Sequence, residues 1–320
     1  MTYRSLKTFI KNNTQENNAK FFDLISKGIK SKIILVVGDG ASNTASYLSS
    51  IMLSCDISHF HYTNNKNTDV NKRFLQNGEP ILQEILCENA ENIIKNSQKF
   101  LSNDDLLFAL AVSISNEEYA IIEISEEYYS YIKNHFSLFA LILAIKNDDK
   151  AFEIIKNAPC GIKEIISLSQ KDDFDYISTK TNQNGTRITL ASPNKITVFN
   201  SDLFGTSFYH YSYQYHISSL NLNNVSLANL AIESASVIFG APRPYIYKGI
   251  ESARLPNDLL LYSLLPTILL YEGDNDFKLH HKLKFVIKTE KDVFVYPSEN
   301  TVFCGNKEYI EQIKEKLKKR

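Results

Sequence analysis

Residues 32–55, KIILVVGDGASNTASYLSSIMLSC, decide the reading of the fold. The run from Ile33 to Val37 is short, apolar and rich in β-branched residues, as a buried strand requires, and Gly38 and Gly40 close it. Beyond the glycines, Ala45, Leu48, Ile51 and Met52 recur on one face at helical spacing. The order is strand, tight turn, helix.

Working outward, ISHFHYT (57–63) reads as the next strand, and residues 81–101 as a helix after Pro80. EYAIIEIS (118–125) and LFALILAI (138–145) are further continuous apolar runs of the kind parallel sheets use. With helical stretches between these runs, and an amphipathic segment at 4–28 ending at Gly28, the first ~165 residues predict an α/β unit with a mostly parallel sheet. From 173 to 218 the pattern alternates: DYISTK, TRITLAS, KITVFNS and SFYHYSYQYHIS, which predicts antiparallel strands added to the sheet edge. VSLANLAIESASVIF (225–239) is a small-residue helix stopped by Gly240 and Pro242. The carboxyl piece offers short strands at PTILLY, KLKFVIK, DVFVYP and TVFC and a charged final helix from Lys307. A cut near 255 divides the chain into units 1–254 and 255–320.

Composition bounds the partners. Of 320 residues, 43% are hydrophobic and 22% charged, which excludes a disordered chain. Lys+Arg 35 against Asp+Glu 36 gives a net charge of -1, so no bulk attraction to nucleic acid or anionic lipid is expected. No run approaches the ~18–20 apolar residues of a membrane span, and the amino end lacks an apolar signal core. Cys55, Cys87, Cys160 and Cys304 are scattered and expected to be reduced, so a cytoplasmic location is expected. Arginine occurs only at positions 4, 73, 187, 243, 254 and 320, which makes each one worth placing.

The turn Gly38-Asp39-Gly40, followed by Ser42, Asn43 and Thr44 at a helix start, is the geometry that offers backbone N–H groups and a positive dipole end to an anion. A working phosphate loop also needs a lysine just before the hydroxyl residue. Ala41, Ser42 and Asn43 stand there instead, and the residues leave open whether Asn43 or Lys66 takes its place. They equally leave open that Gly38 and Gly40 only permit a sharp turn.

The stretch from Lys32 to Ile81 resembles the start of the folylpolyglutamate/dihydrofolate synthases, members of the Mur ligase superfamily. There a strand runs into G-T-N-G-K-G-S-T, then a helix, then Y-T-S-P-H-L-x-x-F-N-E-R-I-x-x-N-G. Tyr62-Thr63, Asn71, Arg73, Asn77 and Gly78 match at that spacing. EYAIIEIS is similar to the family's VVEVG strand, LFALILAIKNDD to VITNIGxDH, VSLANLAIESASVIFG to the N-A-x-x-A helix, and ILLYEGDN to the third-domain L-D-G-A-H-N. The resemblance implies a Mur-ligase-like central unit, a mostly parallel sheet flanked by helices with an antiparallel extension, plus a small, shortened C-terminal α/β unit. It also implies an ATP-dependent amide ligase in which a carboxylate takes the γ-phosphate and an amine, glutamate in the folate enzymes, attacks the acyl phosphate. ATP and Mg²⁺ would be the cofactors, and a folate-like or nucleotide ligand the small-molecule partner.

Position by position, the implied parts are altered. The loop lysine is gone. Glu123 keeps the metal-binding glutamate, while Asp149 replaces the metal-ligating histidine and retains an oxygen for a hard cation. Asn71 and Arg73 keep the loop that folds over the nucleotide and pterin sites, a reading that the scarcity of arginine favours; the alternative is a surface loop in which Asn71 opens and caps a helix. Gly161, Ile162 and Lys163 survive, but the lysine carbamylated in the family does not. Leu227 stands in the place of a nucleotide-contacting asparagine, Asp258 in that of the linker arginine, and Tyr271 and Asp274 in those of the third-domain aspartate and histidine. Losing a charge-assisted contact on the transferred phosphate commonly costs ~10²–10³ in rate. The expected protein is therefore a divergent ligase with impaired or lost catalysis, or a non-catalytic pseudo-ligase that binds a ligand or a protein partner.

Elsewhere the polar clusters favour plain readings. The aromatics between Phe208 and His216 alternate as a half-buried strand or hairpin does, and His280 and His281 point to opposite faces if extended.

Overall fold

A computed structural model describes residues 1–13, 29–65, 68–97, 101–135, 137–170, 185–256, 260–262 and 266–318. An eight-stranded sheet has the order β4-β3-β2-β5-β1-β6-β7-β8, with β1 Lys32–Val37, β2 His59–Tyr62, β3 Phe74–Gln76, β4 Glu79–Pro80, β5 Tyr119–Ile124, β6 Ala140–Leu143, β7 Glu164–Leu168 and β8 Arg187–Ala191. From β2 across to β8 all neighbours pair in parallel, and at the other edge β3 pairs antiparallel with both β2 and β4.

The continuous apolar runs are explained by burial on both faces. In β1, Ile33, Leu35 and Val37 enter one core and Ile34 and Val36 the other, the period of two expected of a pleated strand. The first core is closed by α1 (Tyr3–Asn12), α3 (Gln83–Asn96), α4 (Asn103–Ile114) and α5 (Glu126–Ile132). The second is closed by α2 (Ala41–Ser54), α7 (Asn223–Phe239) and α8 (Arg243–Ser252). Ser102 and Ser125 cap α4 and α5 by accepting from the amides of Asp105 and Tyr128, which fixes where each helix begins. The helix α6, Asp148–Lys156, is capped in the same way by Asn147.

The alternating stretch departs from the expected sheet-edge strands. TRITLA forms β8 and pairs in parallel with β7, whereas β9 (Ile196–Asp202), β10 (Gly205–His210) and β11 (Tyr213–Ile217) form a separate antiparallel sheet. Its inward residues Phe208, Tyr215 and Ile217 pack into the second core against α7 and α8. SFYHYSYQYHIS is thus a hairpin, turning at Tyr211, where φ is 51°. DYISTK, Gly28 and Asp258 lie outside the described residues.

The carboxyl piece forms a four-stranded sheet of order β12-β13-β15-β14, with β12 Leu260–Tyr262, β13 Ile268–Glu272, β14 Val286–Lys288 and β15 Thr301–Gly305, and with α9 (Lys307–Lys318) on one face. DVFVYP is not a strand: Val293 is 85% and Val295 72% exposed, and neither has a sheet neighbour to cover it. His280 and His281 sit in a turn rather than an extended run, so their rings lie 4.2 Å apart instead of on opposite faces. Leu220, from the segment before α7, packs among Leu269, Tyr271, Phe277 and Val302 of this sheet's other face. No helix among the described residues is long and apolar enough to cross a membrane.

Candidate functional site

The carboxyl ends of β1 and β5 define a crevice, because the chain leaves β1 into α2 on one face of the sheet and leaves β5 into α5 on the other. Open α/β sheets bind ligands at such a switch point. A cavity of about 640 Å³ lies there. Its floor is the turn Gly38-Asp39, Ser42 of α2, and Glu123 to Ser125 after β5. Its opposite wall comes from the carboxyl ends of β13 and β15: Glu272-Gly273 and Asn306-Lys307-Glu308.

The glycine turn is shaped by packing. Gly38 has φ +112°, and a Cβ on it would lie 2.6 Å from Ile145 Cγ1 and 2.7 Å from the Ala144 carbonyl oxygen. A Cβ on Gly40 would lie 2.5 Å from Leu227 Cδ2. The Gly38 amide donates to the Ile124 carbonyl (3.4 Å), Gly40 to that of Ala144 (3.0 Å) and Ala41 to that of Gly38 (3.1 Å). Three loop amides are therefore used inside the protein. Those of Ser42 and Asn43, in the first turn of α2, have no acceptor among the described residues.

Glu123 is the centre of the site and is 2% exposed. Its Oε1 accepts from His61 Nε2 at 2.7 Å. Its Oε2 accepts from Ser42 Oγ at 2.6 Å, Thr63 Oγ1 at 3.0 Å and the Asn64 amide at 3.1 Å. The sheet register makes this possible: β2 pairs with β5 so that His61 faces Ile121, which puts His61, Ile121 and Glu123 on one side of the pleat. His61 is buried, 4% of its side chain being exposed, and sequence reasoning did not single it out. The signal present was two histidines inside an otherwise apolar strand, His-Phe-His-Tyr.

The other expected residues divide. Gly38, Asp39 and Ser42 line the cavity with Glu123. Gly40 is buried beneath it, and Thr44, 0% exposed, has an Oγ1 without a hydrogen-bond partner. Asn43 donates from Nδ2 to Asn224 Oδ1 at 2.8 Å, leaving its own Oδ1 unpartnered. Asn71 is held by Tyr3 of α1, whose hydroxyl donates to Asn71 Oδ1 at 2.8 Å and accepts from the Asn71 amide at 3.1 Å. Arg73 is 7% exposed, and its Nε donates to the Thr68 carbonyl at 3.1 Å. Burial pushes the neighbouring Tyr62 phenol well above its ordinary pKa, with the Arg73 guanidinium opposing it. Asn71 and Arg73 thus lie among structural contacts away from the cavity lining. Asp149 is exposed in the first turn of α6, beside Asp148, which accepts from the Gln170 amide. It does not join Glu123 at the cavity, and no group of three or more metal-binding side chains exists among the described residues. Lys66 lies outside those residues.

The charge balance of this cavity disfavours a polyphosphate that arrives without its cation. Among the described residues, the cavity is lined by the carboxylates of Asp39, Glu123, Glu272 and Glu308 and by one lysine, Lys307, a balance that repels a polyphosphate. Glu123 accepts one protein donor on Oε1 and three on Oε2, and beside the loop Asn43 Oδ1 and Thr44 Oγ1 are without a partner among the described residues.

No protein-family model matches the sequence, and no curated protein matches it. Solved structures do match. A folylpolyglutamate synthase in complex with AMPPCP aligns over 99% of this chain and 100% of its own, with a TM-score of 0.72 and 12% identity. The Thermotoga maritima folylpolyglutamate synthase aligns over 83% of this chain and 70% of its own, with a TM-score of 0.65 and 14% identity. A bifunctional folylpolyglutamate/dihydrofolate synthase with Mn, AMPPNP and L-glutamate bound aligns over 86% and 72%, with a TM-score of 0.64 and 13% identity. At such identities the likeness is one of architecture, and the chain has the Mur-ligase-like fold of the folylpolyglutamate synthases.

Proposed function

We propose that this chain is a pseudo-ligase: a protein on the folylpolyglutamate synthase fold that has kept the cleft between its two sheets as a small-molecule site and lost phosphoryl transfer. The observation that supports this reading is the charge of the cavity, four carboxylates against one lysine among the described residues. Transfer of a γ-phosphate requires positive groups where negative charge accumulates, and here the sign is reversed. A folate-like heterocycle suits the cavity better than a nucleotide, since its ring N–H groups are donors for carboxylates. All four cysteines are free thiols, which supports a reducing, cytoplasmic setting.

The competing reading is a slow ATP-dependent ligase of folate-like acids. Its support is the likeness to nucleotide-bound synthases and the two open amides of Ser42 and Asn43. Thermal-shift titration separates them. A ligand of the folded state must raise its melting temperature, so the pseudo-ligase reading expects no shift with millimolar ATP–Mg²⁺ and a shift with a pterin or folate. Nucleotide stabilisation together with glutamate-dependent phosphate release would establish the ligase instead.

A further inference from the structure

We propose that His61, and not a divalent cation, is the resident counter-group of Glu123, so that this chain uses its cleft without a metal at the position where the fold's glutamate would hold one. The inference deepens the proposed function and rests on it in one respect, that the cleft is a binding site; its own support is a separate set of atoms.

An ionised carboxylate offers about four lone-pair sites and can only accept. Glu123 has four donors, His61 Nε2 on Oε1 and Ser42 Oγ, Thr63 Oγ1 and the Asn64 amide on Oε2, which leaves one lone-pair position, on Oε1, and no group of three or more metal-binding side chains surrounds it among the described residues. Because the carboxylate cannot donate, the proton of the 2.7 Å contact sits on His61 Nε2, and that nitrogen is closed to a metal as well. A divalent ion at Glu123 would find one open position, on Oε1 beside the His61 N–H, and would have to displace the Oε2 donors to gain further ligands at about 2.0–2.6 Å. Ser42 strengthens the point. Its hydroxyl, at the start of the loop helix, donates to Glu123 Oε2 at 2.6 Å, so its proton is directed at the carboxylate and the loop helix is tied to it. The donors come from β2 with its following turn and from α2, and the acceptor from β5, so the carboxylate serves as the buried clasp between the turn after β2 and the first turn of α2. Burial makes the clasp costly to open, because the side chains of His61 and Glu123 are 4% and 2% exposed and any unpaired group there would be desolvated.

The test uses Mn²⁺ as the probe on the full-length protein, followed by electron paramagnetic resonance of the free hydrated ion and by thermal shift. The expected result is no uptake at millimolar Mn²⁺, and a Glu123→Gln variant whose melting temperature falls by the same amount in EDTA and in Mn²⁺, since its new amide donor faces four donors. Stoichiometric uptake that Glu123→Gln abolishes would overturn the inference, as would a Glu123→Gln variant as stable as wild type. Uptake that survives the substitution places the ion elsewhere and supports it. Should Glu123→Gln not fold, Ser42→Ala serves: wild-type uptake weakened by Ser42→Ala overturns the inference, and no uptake by either chain upholds it. ATP turnover without Mn²⁺ at Glu123 would sink the pseudo-ligase reading alone; Mn²⁺ bound at Glu123 without any nucleotide response would sink only the His61 inference.

Discussion

Asn43 donates from Nδ2 to Oδ1 of Asn224 at 2.8 Å, joining the first turn of α2 to the first turn of α7. Asn224 is 1% exposed and passes the contact on, its own Nδ2 donating to Ser219 Oγ at 2.7 Å. Truncating Asn224 removes two hydrogen bonds at once, each contributing about 0.5–1.5 kcal/mol. Asn224→Ala is therefore expected to destabilise more than Asn43→Ala, whose side chain is only half-buried and already leaves Oδ1 unpaired. In urea denaturation the double variant should cost less than the sum of the singles, by about 0.5 kcal/mol or more. Strict additivity would mean that the two amides do not share this bond.

The two turn glycines are expected to respond differently to alanine. At Gly38 the added Cβ meets backbone, the Ala144 carbonyl at 2.7 Å, and φ is +112°, which L side chains rarely adopt. At Gly40 the nearest atom is the end of a leucine side chain, Leu227 Cδ2 at 2.5 Å, which has rotamers to yield. Gly38→Ala should thus cost about 3 kcal/mol or more and Gly40→Ala about 1–3 kcal/mol, the range of overpacking. Leu227→Ala in the Gly40→Ala background should recover part of the loss, although Leu227→Ala alone destabilises. A Gly38→Ala protein with wild-type stability would show that the turn is not pressed against β6 as described.

How much of this could be read beforehand depends on whether the cause is local. The strand-turn-helix of Lys32–Ser54 was legible because apolar runs and helical spacing are local, and Glu123 was legible as the polar residue closing an apolar run. His61 was not, because its meaning comes from the parallel register that sets it opposite Ile121, a pairing across 60 positions that no local pattern encodes. Asn71 was named from motif spacing, yet its partner Tyr3 is 68 residues away. The alternation in TRITLA reads as antiparallel because Arg187 and Thr189 interrupt its apolar residues, yet burial rises along this last strand of the sheet, from an exposed Arg187 to a buried Leu190 and Ala191.

Leu220 provides a test of how the two sheets are coupled. It is 3% exposed and belongs by position to the segment before α7, yet it packs in the core of the four-stranded sheet. The backbone follows it there: the Leu222 amide donates to the Lys278 carbonyl at 2.7 Å, and Asn223 Nδ2 to that of Asp276 at 3.0 Å. Leu220 thus lies before residue 254 in the chain and packs with residues that lie after it. Leu220→Ala is expected to cost about 2–5 kcal/mol, the range for a buried leucine, and to lower the melting temperature of the carboxyl-terminal sheet more than that of the central one. Hydrogen exchange of amides in β13 and β15 measures this directly. Equal loss of protection in β1 and β13 would argue for a single cooperative unit.

His59 sets an expected acid transition. It is fully buried in β2, and burial, the largest influence, lowers its pKa from 6.5 to about 4. The hydrogen bonds agree with a neutral ring: the Ile57 carbonyl can only accept, so Nδ1 carries the proton, and Nε2 accepts from Ser49 Oγ at 2.7 Å. A histidine whose folded pKa lies below its unfolded value binds protons more readily when unfolded. The stability linked to it is fully present above pH 6.5 and is lost as pH falls toward 4. At ~1.36 kcal/mol per unit this amounts to roughly 3 kcal/mol over that window. Urea denaturation at pH 7 and at pH 4.5 should show the fall in wild type, and His59→Gln, which lacks a titrating ring, should flatten it while being less stable at pH 7. A His59→Gln protein with the wild-type pH dependence would assign the acid transition to another group.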